Sequence, residues 1–267
     1  MLTPTYLTDS NPMPDSDTGQ TDSAPADTTG SNPVTPVSVR RGKTISAATP
    51  CCAAIIAGGQ SRRMGGTSKA LLPLAGKPLL QHVIDRLQPQ ADLLVLNTNQ
   101  PLPMDNGLPQ ISDSISGFGG PLVGILAVME WLQQHQPHCQ WLALSSVDTP
   151  FIPADLIQQL QSARQSANAT PDIICPTYAD RQHPLCGLWH TGQASALRLA
   201  ISRDKLARVG DWLASRTTLL YPWPTQALDP FTNINTPADL QAATDWLSQH
   251  APSTHPATPD TPPAQGT

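Results

Sequence analysis

The residues best placed to do chemistry lie between Ala57 and Lys69, in AGGQSRRMGGTSK. Gly58 and Gly59 allow a tight backbone turn that brings N–H groups close to an anion. Ser61 adds a hydroxyl donor, Arg63 a fork of donors matched to phosphate oxygens, and Lys69 a point charge. The chain has only four lysines, Lys43, Lys69, Lys77 and Lys205, and two of them stand around this segment. The spacing is not GxxxxGK[ST], because Gly65 is followed by Gly66, and it is not GxGxxG. A P-loop kinase or ATPase and a dinucleotide dehydrogenase are therefore disfavoured. The pattern reads as an anion-cradling loop, with a basic surface turn as the plainer alternative.

Further polar residues follow apolar runs. Asp148, in LALSSVDTPFI, is suited to Mg²⁺, which takes oxygen ligands from one or two carboxylates and from substrate phosphates. It could equally cap a helix beginning near Pro153. Asn97 closes LLVLN, where it could contact a ligand or simply end a strand. Asp113 precedes a glycine-rich stretch in which Gly119, Gly120 and Gly124 permit close backbone approach or mark a helix entry. Glu130 is the only glutamate, which makes a paired-carboxylate glycosidase unattractive. No Ser-His-Asp or Cys-His arrangement can be argued.

The elements that must position these residues alternate short apolar runs with amphipathic stretches. Cys52–Ala57 reads as a strand buried on both faces, followed by a helix over Pro78–Leu87 with Leu79, Leu80, Val83, Ile84 and Leu87 on one stripe. Strands are expected over Asp92–Leu96, Gln140–Ser145, Asp172–Cys175 and Leu219–Tyr221. Helices are expected over Gly120–His135, Pro153–Ser166, Thr191–Ile201, Lys205–Arg216 and Thr236–Gln249. Thr236 is suited to an N-cap, with Pro237 at the first helical position. The alternation predicts an α/β fold of Rossmann-like three-layer α/β/α form, with a mostly parallel, doubly wound sheet in a single domain. Ligands of such folds bind outside the carboxyl ends of the strands, where Gly58–Lys69, Asn97 and Asp148 would all fall.

Residues 1–49 and 251–267 are rich in Pro, Thr, Ser and Asp and poor in large apolar side chains, so they are expected to be disordered tails around a domain spanning 50–250. The net charge of -5 argues against nucleic-acid binding. Without a membrane-length apolar stretch or a secretory signal pattern, a soluble, cytoplasmic protein is expected. The five cysteines, Cys51, Cys52, Cys139, Cys175 and Cys186, show no paired CxxC spacing and read as small buried hydrophobes rather than a disulfide framework or zinc site.

The segment AGGQSRRMGGTSKALLPLAGKPLLQHV closely resembles the opening of molybdenum cofactor guanylyltransferases, within the wider nucleotidyltransferase fold group. Gly58, Gly59, Ser61, Arg63, Met64, Gly65, Lys69, Gly76, Lys77, Pro78 and Leu79 all fit the family pattern. Ser68 departs from it, since the family commonly has Asp before the Lys, and Val147 stands where it has Cys before the metal Asp. The resemblance implies transfer of GMP from GTP to molybdenum-molybdopterin, with Mg²⁺ as cofactor and pyrophosphate as by-product. It implies GTP binding by Ile56, Ala57, Gly58, Gly59, Lys69, Asn97, Asp113 and Asp148, catalysis by Arg63, Lys69 and Asp148, and Mg²⁺ on Asp148. Arg181 and His183, in RQHP, and Asn235, in NINTP, resemble the family's acceptor-side segments. A monomer is expected, with GTP and molybdenum-molybdopterin as ligands and transient contacts to cofactor-biosynthesis proteins or apo-molybdoenzymes. A CTP-using relative and a non-catalytic nucleotide-binding module are the rival readings.

Overall fold

The computed structural model describes residues 51–58, 68–102, 106–117 and 119–250. The two expected tails, and Gly59, Ser61 and Arg63 of the basic loop, lie outside the described residues. The first strand, β1 (Cys51–Ile56), explains its own unbroken apolar run. Cys51, Ala53 and Ile55 enter one hydrophobic core, and Cys52, Ala54 and Ile56 enter another on the opposite face. With both faces covered, neither set of alternate positions is left for polar residues.

After β1 come a two-residue hairpin, β2 (Pro73–Leu74) and β3 (Lys77–Pro78), and then α1 (Leu79–Leu87). The hairpin turns through Ala75 and Gly76, whose φ angles are +47° and +79°. The buried residues of α1 are Leu79, Leu80, Val83, Ile84 and Leu87, the stripe expected from helical periodicity. The order continues with β4 (Leu93–Asn97), β5 (Gln110–Ile111), α2 (Pro121–His135), β6 (Trp141–Ser146), α3 (Leu156–Gln165), β7 (Ile173–Tyr178), β8 (Arg181–Gln182), β9 (Leu188–His190), α4 (Ala194–Ser202), α5 (Val209–Ala214), β10 (Thr218–Pro222) and α6 (Pro237–Gln249).

The main sheet has eight strands in the order β10-β7-β9-β6-β1-β4-β5, with β8 paired to β7. The run β6-β1-β4-β5 is parallel, as is β10-β7, while β9 lies antiparallel between β6 and β7. Helices α1 and α3 cover one face of β1, and α2, α4 and α5 the other. This is the expected three-layer, mostly parallel α/β arrangement, made mixed by β9 and by β8, which is antiparallel to β7. No described helix is long and apolar enough to cross a membrane.

Two expectations are corrected. Only Val209–Ala214 of the helix expected over Lys205–Arg216 is helical, because Lys205 takes a left-handed φ of +58° and Arg208 an extended φ/ψ of -97°/131°, so the helix starts after them. The cysteines are not all free: Cys52 and Cys139 are joined by a disulfide across 87 residues. Their Cα atoms stand 6.0 Å apart, within disulfide reach, because the turn before β6 folds back against the start of β1. Spacing along the chain carries no trace of such a pairing. Cys51, Cys175 and Cys186 are buried thiols, as expected of small hydrophobes.

Candidate active site

Parallel pairing sets the site. Ile56 is in register with Asn97 on one side and Ser146 on the other, so β1, β4 and β6 end together. The Ala57 N–H donates to Asn97 O at 2.9 Å and the Val147 N–H to Ile56 O at 3.2 Å. The chain thus leaves β1 toward Gly58 with Asn97 on one flank and the Val147-Asp148 turn on the other. It is next described at Ser68, and Lys69 opens a short 3-10 turn.

Lys69 Nζ donates to Asp148 Oδ2 and to Asn235 Oδ1, both at 2.6 Å. Three residues from three separate segments therefore meet on one ammonium. The Lys69 and Asp148 side chains are only 18% and 14% exposed, so the pair is screened far less than a surface ion pair. Asp148 does not cap α3, whose N-cap position is Asp155, and the helix-cap alternative falls. Its second oxygen, Oδ1, is buried without a partner among the described residues. A buried carboxylate oxygen left without a partner is costly, and a cation would satisfy it. Among the described residues no group of three or more His, Cys, Asp or Glu forms a metal cage. A single carboxylate oxygen suits Mg²⁺, which retains waters and takes its remaining ligands from substrate phosphates.

The Asp148 turn is clamped from the far end of the chain. The Ile234 N–H donates to Asp148 O at 2.8 Å, and Thr149 Oγ1 donates to Asn233 Oδ1 at 2.9 Å. Asp239 accepts from the Asn235 and Thr236 N–H groups, each at 2.8 Å, and closes a capping box with Thr236 at the start of α6. These backbone donors hold the Asp239 carboxyl below its usual range, with the Lys69 charge adding to the effect.

On the other flank, Asn97 Nδ2 donates to Ile111 O and to Asp113 Oδ1, both at 3.0 Å. Its Oδ1 is buried without a partner among the described residues. Two glycines crowd that oxygen. A Cβ on Gly58 would stand 3.2 Å from Asn97 Oδ1, and one on Gly124 would stand 2.7 Å from Asn97 Cγ. The close approach expected of Gly124 is thus to a side chain of the protein. Gly120, at φ +106°, takes the N-cap position of α2, a backbone shape that glycine permits. A Cβ on Gly119 would meet nothing within 4 Å.

Arg181 lies exposed on β8. His183 is half-buried and stacks on Phe231 at 4.8 Å between ring centroids. Burial lowers its pKa, with Asp229 opposing and Arg181 adding to the shift, so the ring is neutral near pH 7. Its Nε2 is buried without a partner among the described residues. Burial pushes the Cys175 thiol up to about 12 and Cys186 higher still, the nearby Asp148 charge adding to the latter. Neither thiol is a nucleophile at neutral pH.

The structure therefore brings Lys69, Asp148 and Asn235 to one point and Asn97 and Asp113 to another, with Ile56, Ala57 and Gly58 between them. Arg63 lies outside the described residues. Sequence reasoning missed Asn99, Thr149 and Asp239. Asn99 stands two residues beyond Asn97, the strand repeat that returns to the same side, and that spacing was the available signal.

The description "MobA-like NTP transferase domain" matches residues 53–217. A molybdenum cofactor guanylyltransferase of Rhodopseudomonas palustris (strain BisB5) is 42% identical over 198 residues, covering 73% of this chain and 92% of that one. One of Rhizobium rhizogenes is 38% identical over 200 residues, covering 73% and 91%. Among solved structures, molybdopterin-guanine dinucleotide biosynthesis protein A of Archaeoglobus fulgidus superposes with a TM-score of 0.61 at 23% identity, covering 74% of this chain and 99% of that one.

Proposed function

The chain belongs to the MobA-like NTP transferase family, a family of nucleotidyltransferases, and from that premise we propose that it transfers GMP from GTP to the phosphate of molybdenum-molybdopterin. An oxygen of the acceptor phosphate attacks the α-phosphorus of GTP. The bond from that phosphorus to the oxygen bridging to the β-phosphate breaks, and pyrophosphate leaves. The observation that carries this reading is the convergence of Lys69, Asp148 and Asn235 beside the end of β1, with one Asp148 oxygen still open.

The acceptor phosphate is ionised near neutral pH, so the chemistry needs positioning and charge neutralisation more than a strong base. Lys69, with Arg63 from the basic loop, holds the triphosphate, and the backbone of Ile56 to Gly59 cradles it. Asp148 would hold Mg²⁺ together with phosphate oxygens, and the bound ion would neutralise and polarise the reacting phosphate. Asn235 keeps Lys69 directed at that point. Arg181 and His183 are assigned to the acceptor side, where a neutral His183 can donate one hydrogen bond without adding charge.

Base choice follows from what the second cluster offers. The Asp113 carboxylate, held by the Asn97 and Asn99 amides, can only accept. Guanine presents adjacent donors at N1–H and its 2-amino group, whereas cytosine presents a donor beside an acceptor. An all-acceptor face therefore favours GTP over CTP. We assign the reaction to the cytoplasm, where the nucleotide is available, with the protein acting as a monomer that contacts other cofactor-biosynthesis proteins or apo-molybdoenzymes transiently. Incubation with Mg²⁺, molybdopterin and each of the four triphosphates in turn tests the reading: pyrophosphate release is expected with GTP. Release with CTP and not GTP would overturn the guanylyl assignment.

A further inference from the structure

Asn99 is exposed at the tip of the β4 end, yet both ends of its amide are committed to one residue. Its Nδ2 donates to Asp113 Oδ2 at 2.6 Å, and its Oδ1 accepts from the Asp113 N–H at 2.8 Å. The two bonds close a ring that fixes the backbone and the carboxylate of Asp113 together. Asn97 Nδ2 takes the other carboxylate oxygen at 3.0 Å. Two amides on the two oxygens set the plane of the carboxylate, and each oxygen keeps lone-pair capacity for a further donor.

Asn99 is itself held in place. Thr98 Oγ1 donates to Gln100 O at 2.8 Å and accepts from the Gln100 N–H at 3.3 Å, which pins the backbone on either side of it. Asp113, by contrast, follows a strand of only two residues, β5. Beyond it the next anchor is Ser114, whose hydroxyl donates to Glu130 at 2.8 Å. Without Asn99, Asn97 is the one side chain among the described residues left to direct the Asp113 carboxylate.

We propose that Asn99 is a positioning residue for base recognition: it aims Asp113 at the donor edge of guanine and so sets the preference for GTP. The proposal rests on the reading of Asp113 as the base-facing acceptor. Asn99 need not touch the nucleotide. Its effect belongs to nucleotide affinity and base discrimination and not to the transfer step.

The test compares the full chain with its Asn99→Ala and Asn99→Asp variants in steady-state transfer to molybdopterin with Mg²⁺. GTP and inosine triphosphate, which lacks the 2-amino donor, serve as alternative substrates. For Asn99→Ala the KM for GTP should rise about tenfold while kcat stays within about threefold, and the preference for GTP over inosine triphosphate should collapse toward unity. Asn99→Asp separates positioning from simple loop support. It preserves size and the acceptor for the Asp113 N–H, but replaces the donor with a second carboxylate facing the first. Positioning predicts a KM defect at least as large as that of Asn99→Ala. An Asn99→Asp variant matching wild type, or an Asn99→Ala variant that keeps both its KM and its base preference, would overturn the proposal. Wild-type protein indifferent to the 2-amino group would instead overturn the base-face reading beneath it. Thermal melts should show both variants cooperatively folded at the assay temperature, so that the KM change reads nucleotide binding by native protein.

Discussion

The side chains of Asp148 and Asn97 each commit one polar end to hydrogen bonds and bury the other. Asp148 gives Oδ2 to Lys69 and Asn97 gives Nδ2 to Ile111 and Asp113, and the Oδ1 of each has no partner among the described residues. Buried acceptors in that state are costly in a resting protein, which is why they mark places where ligand donors or cations belong. Lys69 stood out in the sequence as one of only four lysines, whereas Asp148 and Asn235 were picked out by the family resemblance of the segments that carry them. The packing of Gly124 against Asn97 was not, since it arises only when α2 is laid across the end of β4. Gly124→Ala should therefore act on nucleotide binding at a distance, by pushing the Asn97 amide aside. A stability loss of about 1–3 kcal/mol in urea unfolding is expected from the overpacking. The KM for GTP should rise with it, and an unchanged KM would show that the Asn97 amide tolerates the displacement.

At the level of elements, the long periodic segments were readable and the short ones were not. The five buried residues of α1 were visible as a helical stripe, and α2 as an almost wholly apolar helix. Strands β5 and β9, of two and three residues, exist because neighbours pair with them, and no periodicity can develop over such lengths. Helix α6 supports the site from a distance: its N-terminal capping box holds Asn235 by its backbone. Replacing Asp239 with Ala should cost about 1 kcal/mol of stability at pH 7. The folded-state pKa of Asp239 is lowered, so its contribution is present above the ordinary carboxylate range and lost as pH falls through the lowered value. The stability gap between wild type and Asp239→Ala should accordingly be constant at neutral pH and narrow below about pH 4. A gap that grew on acidification would contradict this account. The same variant should lower kcat, because Asn235, which accepts from Lys69, loses its backbone anchor.

Across the whole molecule, the sheet gathers residues far apart in sequence: Lys69 meets Asp148 across 79 residues and Asn235 across 166. The disulfide works at the opposite end of β1 from the site, tying Cys52 to Cys139 across 87 residues. Closing so long a loop restricts the unfolded chain, and by that entropic account the bond contributes about 3–5 kcal/mol. Denaturant unfolding with and without a thiol reductant should reveal that difference, and Cys139→Ser should abolish the sensitivity. A stability indifferent to reductant would mean that the bond does not form in solution. A cytoplasm that keeps thiols reduced would hold the protein in its less stable form. The claim beneath all of this is that one metal-competent carboxylate at the end of a parallel sheet directs guanylyl transfer. Its most direct test follows the α-phosphate of labelled GTP in the presence of Mg²⁺ and molybdopterin, for wild type and Asp148→Ala. The account predicts label in a molybdopterin guanine dinucleotide with wild type, and a rate lower by about 10²–10³-fold with a still-folded Asp148→Ala protein. Equal label incorporation by the two proteins would contradict it.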